Sequence, residues 1–456
     1  MIKIFNHYFH QRTLLQVAVD LMLLLMVVIT IVLVHEVQPE KFWFIVGKTF
    51  MLLGAAMLAV NYGLGFYQRV HNRSVGLSGA RAVLALLLLL PVVFVLSIGL
   101  PNSLASGLML AAALAVILLM RVIAMYTTPP SLMRQRVLIF GTGSRAKMVG
   151  KELLRTDPTV DLVGYYAGPN EQEAMVSAWG LMSMTNCLTD IVAEQRVDEI
   201  VVALTERRGG SMPLRELLDC KLQGVRVVDF ETHFERTLGQ IRLESLSASW
   251  LIFGDGFGSG WVRAIVKRFF DIVCASILIV LTLPVMLVTA LFILFEDGLP
   301  ILYRQERVGL NGRLFDVVKF RSMRKDAEKD GQPRWAAAAD DRITRVGHII
   351  RKLRIDELPQ LFSVVGGSMS MVGPRPERPY FVDKLTQDIP FYAVRHSVKP
   401  GVTGWAQVRY QYGSTVEDAA EKLQFDLYYV KNHSLLLDIV VIFETIGVVL
   451  MRKGAH

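Results

Sequence analysis

The chain has 456 residues, 52% hydrophobic and only 20% charged, with a mean hydropathy of +0.41, which sets it apart from soluble proteins and places it in the membrane class. A net charge of +8 and a pI near 9.3 fit anionic lipid or phosphate partners, although basic loops anchoring a membrane protein give the same number. Nucleic acid is disfavoured as a partner, because the basic residues are spread among apolar segments rather than gathered in one soluble domain. Three scattered cysteines, Cys187, Cys220 and Cys274, argue against a disulfide framework and a zinc site and point to a reducing compartment.

Residues 1–128 read as a membrane bundle. Leu14 to Val34, Phe42 to Phe66, Ala82 to Leu100 and Leu104 to Tyr126 are each long and apolar enough to cross a bilayer, which takes about 20 residues. Asp20, inside the first, is expected to face the bundle or to reach the interface. Lys3, Arg12, Arg69, Arg73, Arg81, Arg134 and Arg136 flank the spans on one side, whereas the two other connections carry only Lys41. By the positive-inside rule the N-terminus and everything after the fourth span are cytoplasmic.

Residues 134–251 change to an α/β texture. Val137 to Phe140 reads as a buried strand leading into Gly141-Thr142-Gly143 and a helix through Leu154. Further strands are expected at Leu162 to Tyr166, Glu199 to Ala203 and Val225 to Phe230, with helices at Asp190 to Arg196 and Pro213 to Leu222 between them. Such alternation predicts a parallel, Rossmann-like sheet. The glycine pair could cradle a nucleotide phosphate at a helix N-terminus. Against that, the second strand runs into Ala167-Gly168-Pro169, where a dinucleotide site wants an acid for the ribose. An inert, regulatory or assembly domain is the better reading, and it could support a homodimer.

Residues 261–456 form the last domain. It opens with Phe269 to Phe295, apolar except for Asp271. Its length would allow a crossing, but both flanks are basic: Arg263, Lys267 and Arg268 before, then Arg304, Arg307, Arg313, Lys319, Arg321, Arg324 and Lys325 after. Both ends therefore belong on the cytoplasmic side. Pro284 removes a backbone donor near the middle, so a re-entrant helix over about 266–296, broken at Pro284, is expected. An ordinary fifth span is the alternative.

Five motifs follow in order. Lys319-Phe320-Arg321-Ser322-Met323 comes first, then Arg342-Ile343-Thr344-Arg345-Val346-Gly347. A helix is expected next, carrying Arg351, Lys352, Arg354 and Asp356-Glu357-Leu358-Pro359-Gln360. Met369 to Glu377, containing Pro374-Arg375-Pro376, and Lys399-Pro400-Gly401-Val402-Thr403-Gly404-Trp405-Ala406-Gln407 complete the set. Together they resemble the bacterial sugar transferase family, the monotopic phosphoglycosyl transferases. The layout is similar to its large members, the polyprenyl-phosphate hexose-1-phosphate transferases of exopolysaccharide synthesis.

The resemblance implies transfer of a sugar 1-phosphate from a UDP-sugar to polyprenyl (undecaprenyl) phosphate, with release of UMP, at the cytoplasmic face of the bacterial inner membrane. Other exopolysaccharide-assembly enzymes would be partners, alongside the membrane lipids. It implies a two-step route with Asp356 as nucleophile, Glu357 holding Mg²⁺, and Lys319, Arg321 and Arg375 binding substrate phosphate. The chemistry is coherent. A carboxylate can split one difficult phosphoryl transfer into two steps, and magnesium prefers one or two carboxylates plus phosphate oxygens. Positioning and charge stabilisation carry such reactions.

Blander readings compete with each element. Lys319 and Arg321 could be juxtamembrane cations drawn to anionic lipid, and Asp356-Glu357 a solvated ion-pair face. Trp405 reads as packing or interface anchoring rather than base stacking, and His348, His396 and His433 show no ligand spacing. Gly366-Gly367-Ser368 departs from the family pattern, which has an acid before the Met369 position. Leu435 to Leu450 is too short for a comfortable span and reads as an interfacial helix. Two other functions stay open: a membrane scaffold or sensor with a degenerate transferase domain, and an epimerase or oxidoreductase working through the middle domain.

Overall fold

The structure, a computed structural model, describes residues 2–4, 7–9, 11–35, 38–67, 75–100, 102–127, 135–156, 160–168, 176, 181, 187–204, 212–246, 256–257, 260–324, 342–410, 413 and 415–450. Arg69, Arg73, Arg134, Pro169 and Lys325 lie outside the described residues. The chain divides into two compact units. One contains residues 12–61 and 66–238; the other contains 1–11, 62–65 and 239–456.

Strands β1 (Ile2–Ile4) and β2 (His7–Phe9) pair as an antiparallel hairpin. Sequence reasoning placed this segment with the membrane spans, but it clusters with the C-terminal half. The reason is His7, whose Nδ1 lies 2.7 Å from the Tyr428 hydroxyl. Its ring meets Phe9 and Trp405 edge-on. Burial, helped by the Arg409 charge, lowers the imidazole to about 3, so His7 docks as a neutral ring.

In the first unit, α1 (Gln11–Val34), α2 (Pro39–Gly63), α3 (Val75–Ile98) and α4 (Ser103–Thr127) match the expected spans closely. Leu24, Val28 and Ile31, Leu89, Val93 and Leu96, and Leu110, Leu114 and Ile117 join one buried cluster. Steps of four and three keep each set on one face of its helix. The opposite faces leave Met22, Met26, Phe94 and Leu119 exposed, as lipid-facing surfaces do. Asp20 faces inward. It pairs with Arg121 and accepts a 2.8 Å hydrogen bond from the Tyr67 hydroxyl.

The same unit contains a four-stranded sheet in the order β4-β3-β5-β6, all parallel. Its strands are β3 (Gln135–Phe140), β4 (Val160–Tyr166), β5 (Glu199–Val202) and β6 (Arg226–Asp229), with α5 (Ser144–Thr156), α6 (Leu188–Glu194) and α7 (Leu214–Leu222) between them and α8 (Phe230–Thr237) after. The glycine after β3 has a packing cause. Gly141 sits at φ +131°, and a Cβ there would lie 2.9 Å from the Ala203 carbonyl oxygen.

The second unit is built on α9 (Trp261–Asp297). The helix continues through Pro284, so the expected break is not an interruption of helical structure. Thr282 Oγ1 donates to the Leu278 carbonyl at 2.7 Å, a contact that bends helices. Much of its apolar length is exposed, including Val280, Leu281, Leu287 and Phe295. Both of its ends are tied to neighbouring elements of one domain. Arg268 donates to the Val364 and Val365 carbonyls at 2.5 and 2.6 Å, and Glu296 accepts from the Arg345 and Val346 amides at 2.8 and 3.0 Å.

Around it stand the antiparallel pair β7 (Leu302–Val308) and β8 (Leu314–Phe320), α10 (Arg345–Lys352), α11 (Gln360–Gly366), β9 (Ser370–Val372), α12 (Pro379–Asp388), β10 (Gly401–Thr403), α13 (Trp405–Arg409), α14 (Val416–Asn432) and α15 (Leu435–Leu450). β9 and β10 pair in parallel. α14 opens with a capping box between Thr415 and Asp418, and every residue from Leu423 to Val430 is buried, as befits a helix enclosed on all sides. α15 packs into the core through Leu437, Val440 and Val441 and leaves Ile446 and Val449 exposed. Its two acids are partnered, Asp438 by Lys267 at 3.0 Å and Glu444 by Arg409 at 2.6 Å.

Removing one member of a buried pair strands the other, at a cost of about 3–5 kcal/mol, whereas replacing both is far milder. Asp20→Leu should therefore lower the melting temperature of the detergent-solubilised protein more than Asp20→Leu combined with Arg121→Leu. Equal losses in the two variants would show that the pair does not hold these helices.

Candidate active site

The Asp-Glu pair does not lie on the helix the sequence implied. α10 stops at Lys352, and Arg354 takes a left-handed conformation, φ +59°, which for a non-glycine costs about 1–2 kcal/mol. The chain then makes a single 3₁₀ turn, Ile355–Glu357, before α11. In such a turn residues three apart eclipse. Ile355 and Leu358 accordingly pack together against a buried group containing Phe320 and Ile350. Asp356 and Glu357 project elsewhere, about 120° from each other.

Glu357 is the electrostatic centre. Its Oε1 accepts from Arg375 Nη2 at 2.8 Å and from Lys319 Nζ at 3.2 Å, and Arg354 Nη1 stands 3.8 Å from Oε2. Burial alone would raise this carboxyl. Arg375, Lys319 and Arg354 outweigh burial and hold it well below the usual carboxylate range. Asp356 moves the other way, to about 6, raised first by burial and then by the Glu357 charge, with Lys319, Arg375 and Arg351 opposing. Lys319 itself is pulled down by burial, against the attraction of Glu357. Adjacent carboxylates thus have separate characters: one neutralised by cations, the other half-buried and readily protonated.

The elements that deliver these side chains explain the motifs. Lys319 lies near the end of β8, with Val317 two residues earlier buried in the main core. Arg375 follows β9 in a turn pressed against the glycine motif after α12. A Cβ at Gly373 would lie 2.3 Å from the Lys399 carbonyl oxygen, and one at Gly404 2.2 Å from the Gly373 carbonyl oxygen. Two backbones run in contact there, and only glycine fits. The Gly401 amide donates to the Pro374 carbonyl at 3.0 Å, and the Val308 amide to the Glu377 carbonyl at 2.9 Å. Trp405 completes this scaffold by packing, as expected: its Nε1 donates to the Gly239 carbonyl at 2.8 Å and its ring stacks on Tyr428.

Residues 262–452 match the family described as bacterial sugar transferase. A protein of Aeromonas hydrophila named UDP-N-acetylgalactosamine-undecaprenyl-phosphate N-acetylgalactosaminephosphotransferase is 42% identical over 261 residues, which cover 57% of this chain and 61% of that protein. A UDP-glucose:undecaprenyl-phosphate glucose-1-phosphate transferase of Caulobacter vibrioides is 41% identical over 194 residues, 42% of this chain and 72% of that one. A protein of the same name from Escherichia coli is 39% identical over 197 residues, 43% of this chain and 42% of its own length. The chain belongs to the bacterial sugar transferase family. It spans less than two thirds of the Aeromonas and Escherichia relatives.

In this member of the family, Lys319, Glu357 and Arg375 meet and Asp356 adjoins them, but Arg321 is turned away. β8 ends at Phe320, and Arg321 Nη2 donates instead to the Asp297 and Gly298 carbonyls at 3.0 and 2.6 Å, closing the C-terminal end of α9. Pro284 lies inside that helix, on another element from these carboxylates. The sequence reading missed the left-handed Arg354, since nothing in its composition marks the turn. At the departure, Gly367 caps α11 in the left-handed region, φ +93°, and Ser368 Oγ donates to the Ser363 carbonyl at 3.2 Å.

Among the described residues no group of three or more His, Cys, Asp or Glu side chains could hold a metal. Asp356 and Glu357 supply two carboxylates, the number magnesium takes beside phosphate oxygens, and Glu357 already faces Arg375, Lys319 and Arg354. Because Asp356 ionises near 6, a carboxylate acting in its charged form loses activity as pH falls through that value. Below it, activity that depends on that carboxylate should drop about tenfold per pH unit. A profile flat from pH 7 to pH 5 would remove Asp356 from that role.

Proposed function

We propose that this protein transfers a sugar 1-phosphate from a UDP-sugar to polyprenyl phosphate, releasing UMP, as an initiating step of exopolysaccharide or related glycoconjugate synthesis. The observation that carries the reading is the division of labour at Asp356-Glu357: Arg375 and Lys319 neutralise Glu357, whereas burial and Glu357 raise Asp356. A carboxylate can attack a phosphate only where neighbouring cations offset the repulsion, and here two converge on the adjacent residue. The relatives' names supply the substrate class.

In the first step an Asp356 oxygen attacks the phosphorus bearing the sugar, and the bond from that phosphorus to the UMP oxygen breaks. Asp356 then carries the phosphosugar as an acyl phosphate. In the second, an oxygen of polyprenyl phosphate attacks the same phosphorus, the bond to Asp356 breaks, and the carboxylate returns. Lys319 and Arg375 bind and orient the diphosphate, with Arg375 able to present two parallel donors. Glu357 would hold Mg²⁺ with substrate oxygens, and the ion when bound would supply charge neutralisation. The sugar is one of the hexoses or N-acetylated hexoses named among the relatives.

The proposed setting is the cytoplasmic face of the inner membrane, with α1 to α4 as a four-helix transmembrane bundle and α9 as a re-entrant helix. The exposed apolar length of α9 and the attachment of both its ends to one domain support a helix that dips and returns. Residues 1–11 and 62–65 cluster with 239–456, in keeping with one side for the N-terminus, the end of the second span and the catalytic domain. The middle sheet is assigned a regulatory or assembly role, and it could support a homodimer.

Wild-type protein incubated with UDP-sugar labelled in the β-phosphate, without lipid acceptor, should retain protein-bound label. Asp356→Asn should retain none and release no UMP, at unchanged expression. Turnover by Asp356→Asn near the wild-type rate rules out the nucleophile. For topology, a single cysteine placed after α15 should be blocked only by reagents that reach the cytoplasm; labelling from the periplasm would make α9 a true crossing.

A further inference from the structure

The turn that carries Arg375 has a support that none of the sequence motifs contains. Arg395 lies in a 3₁₀ segment, Tyr392–Ser397, and is only 5% exposed. Its Nη2 donates to the Arg375 backbone carbonyl at 3.0 Å. Its Nε donates to Asp426 Oδ2 at 3.0 Å, Nη2 stands 2.8 Å from the same oxygen, and Nη1 donates to the Tyr392 hydroxyl at 2.9 Å. Asp426 comes from the enclosed helix α14 and is 2% exposed.

A buried ion pair is weak evidence for stability, because apolar replacements of equal volume are often as good. Stability alone would also need no contact with Arg375. What singles out Arg395 is the fork: one planar group grips a fixed acid from α14 and, with the same nitrogen, the carbonyl of the residue whose side chain reaches Glu357 Oε1 at 2.8 Å. A lysine ammonium is a single point and cannot hold these partners in that geometry.

We propose that Arg395, anchored by Asp426, is a positioning residue for the transfer reaction: it fixes the Arg375 backbone and thereby aims the Arg375 guanidinium at Glu357 and the substrate diphosphate. This rests on the transferase reading above, in which Arg375 binds phosphate. Arg395 touches no reacting atom, and its effect passes through Arg375.

The test is a double-mutant cycle on full-length protein in native-like membranes, scored by UMP release with the UDP-sugar that turns over fastest and with polyprenyl phosphate. Arg395→Lys keeps a cation opposite Asp426 and should hold its melting temperature near wild type. Its KM for the nucleotide sugar should rise, with kcat/KM falling by about 100-fold, the scale of a misplacement of roughly 1 Å. Placed on Arg375→Ala, the same change should alter kcat/KM by less than about twofold, because the residue it acts through is gone. Equal losses in both backgrounds, or wild-type kinetics for Arg395→Lys, would overturn the proposal. If Arg395→Lys does not accumulate in the membrane, Asp426→Asn, which keeps the shape and one acceptor, goes through the same cycle: a loss confined to the Arg375 background supports the proposal, and equal losses or wild-type kinetics overturn it. Wild-type protein that releases no UMP sinks the transferase reading and this inference with it; turnover with an additive cycle sinks this inference alone.

Discussion

The site depends on one charge arrangement: a half-buried glutamate neutralised by a strand lysine and a turn arginine, with an aspartate next to it. Glu357 left alone at that depth would be driven toward its neutral form. Arg375 and Lys319 keep it ionised, and the charge it retains contributes to raising Asp356. Neither carboxylate's character can be understood without the other. Three elements distant in sequence must also arrive in register, since β8, the 3₁₀ turn and the segment after β9 each supply one member.

Much of the second unit can be read as support for that convergence. The glycine motif at 399–405 has a packing role. It allows two backbones to lie in contact so that the Arg375 turn has a rigid floor. The Trp405 stack closes the floor from behind, and α14 provides an interior from which polar side chains reach forward. Placing a functional arginine on tightly bonded backbone limits the entropy lost when it binds an anion.

Local patterns carried the fold well and the site unevenly. Apolar runs of span length gave α1 to α4, and alternating strand and helix signals gave the parallel sheet, because both are set by periodicity within short windows. Motif content singled out Lys319, Glu357 and Arg375, but not that the first and last would pair with the glutamate. The turn at Arg354 was illegible because a left-handed arginine follows from packing around Ile355 and Leu358, not from its own preference. Arg321 lies apart from Lys319 for a related reason: two residues apart on a strand share a face, but the strand ends between them. Nor does anything near residue 7 announce that an N-terminal histidine belongs beside Tyr428.

That last contact has a bearing on how the protein is made. His7 and Tyr428 are 421 positions apart, with all of the membrane helices and the middle sheet between them in sequence. Synthesis at about 5–20 residues per second separates their emergence from the ribosome by roughly 20 to 80 seconds. The hairpin must spend that interval beside a growing membrane protein with its docking surface not yet translated. Completion of this unit is therefore a late event, since the His7 contact cannot form until Tyr428 of α14 has been made.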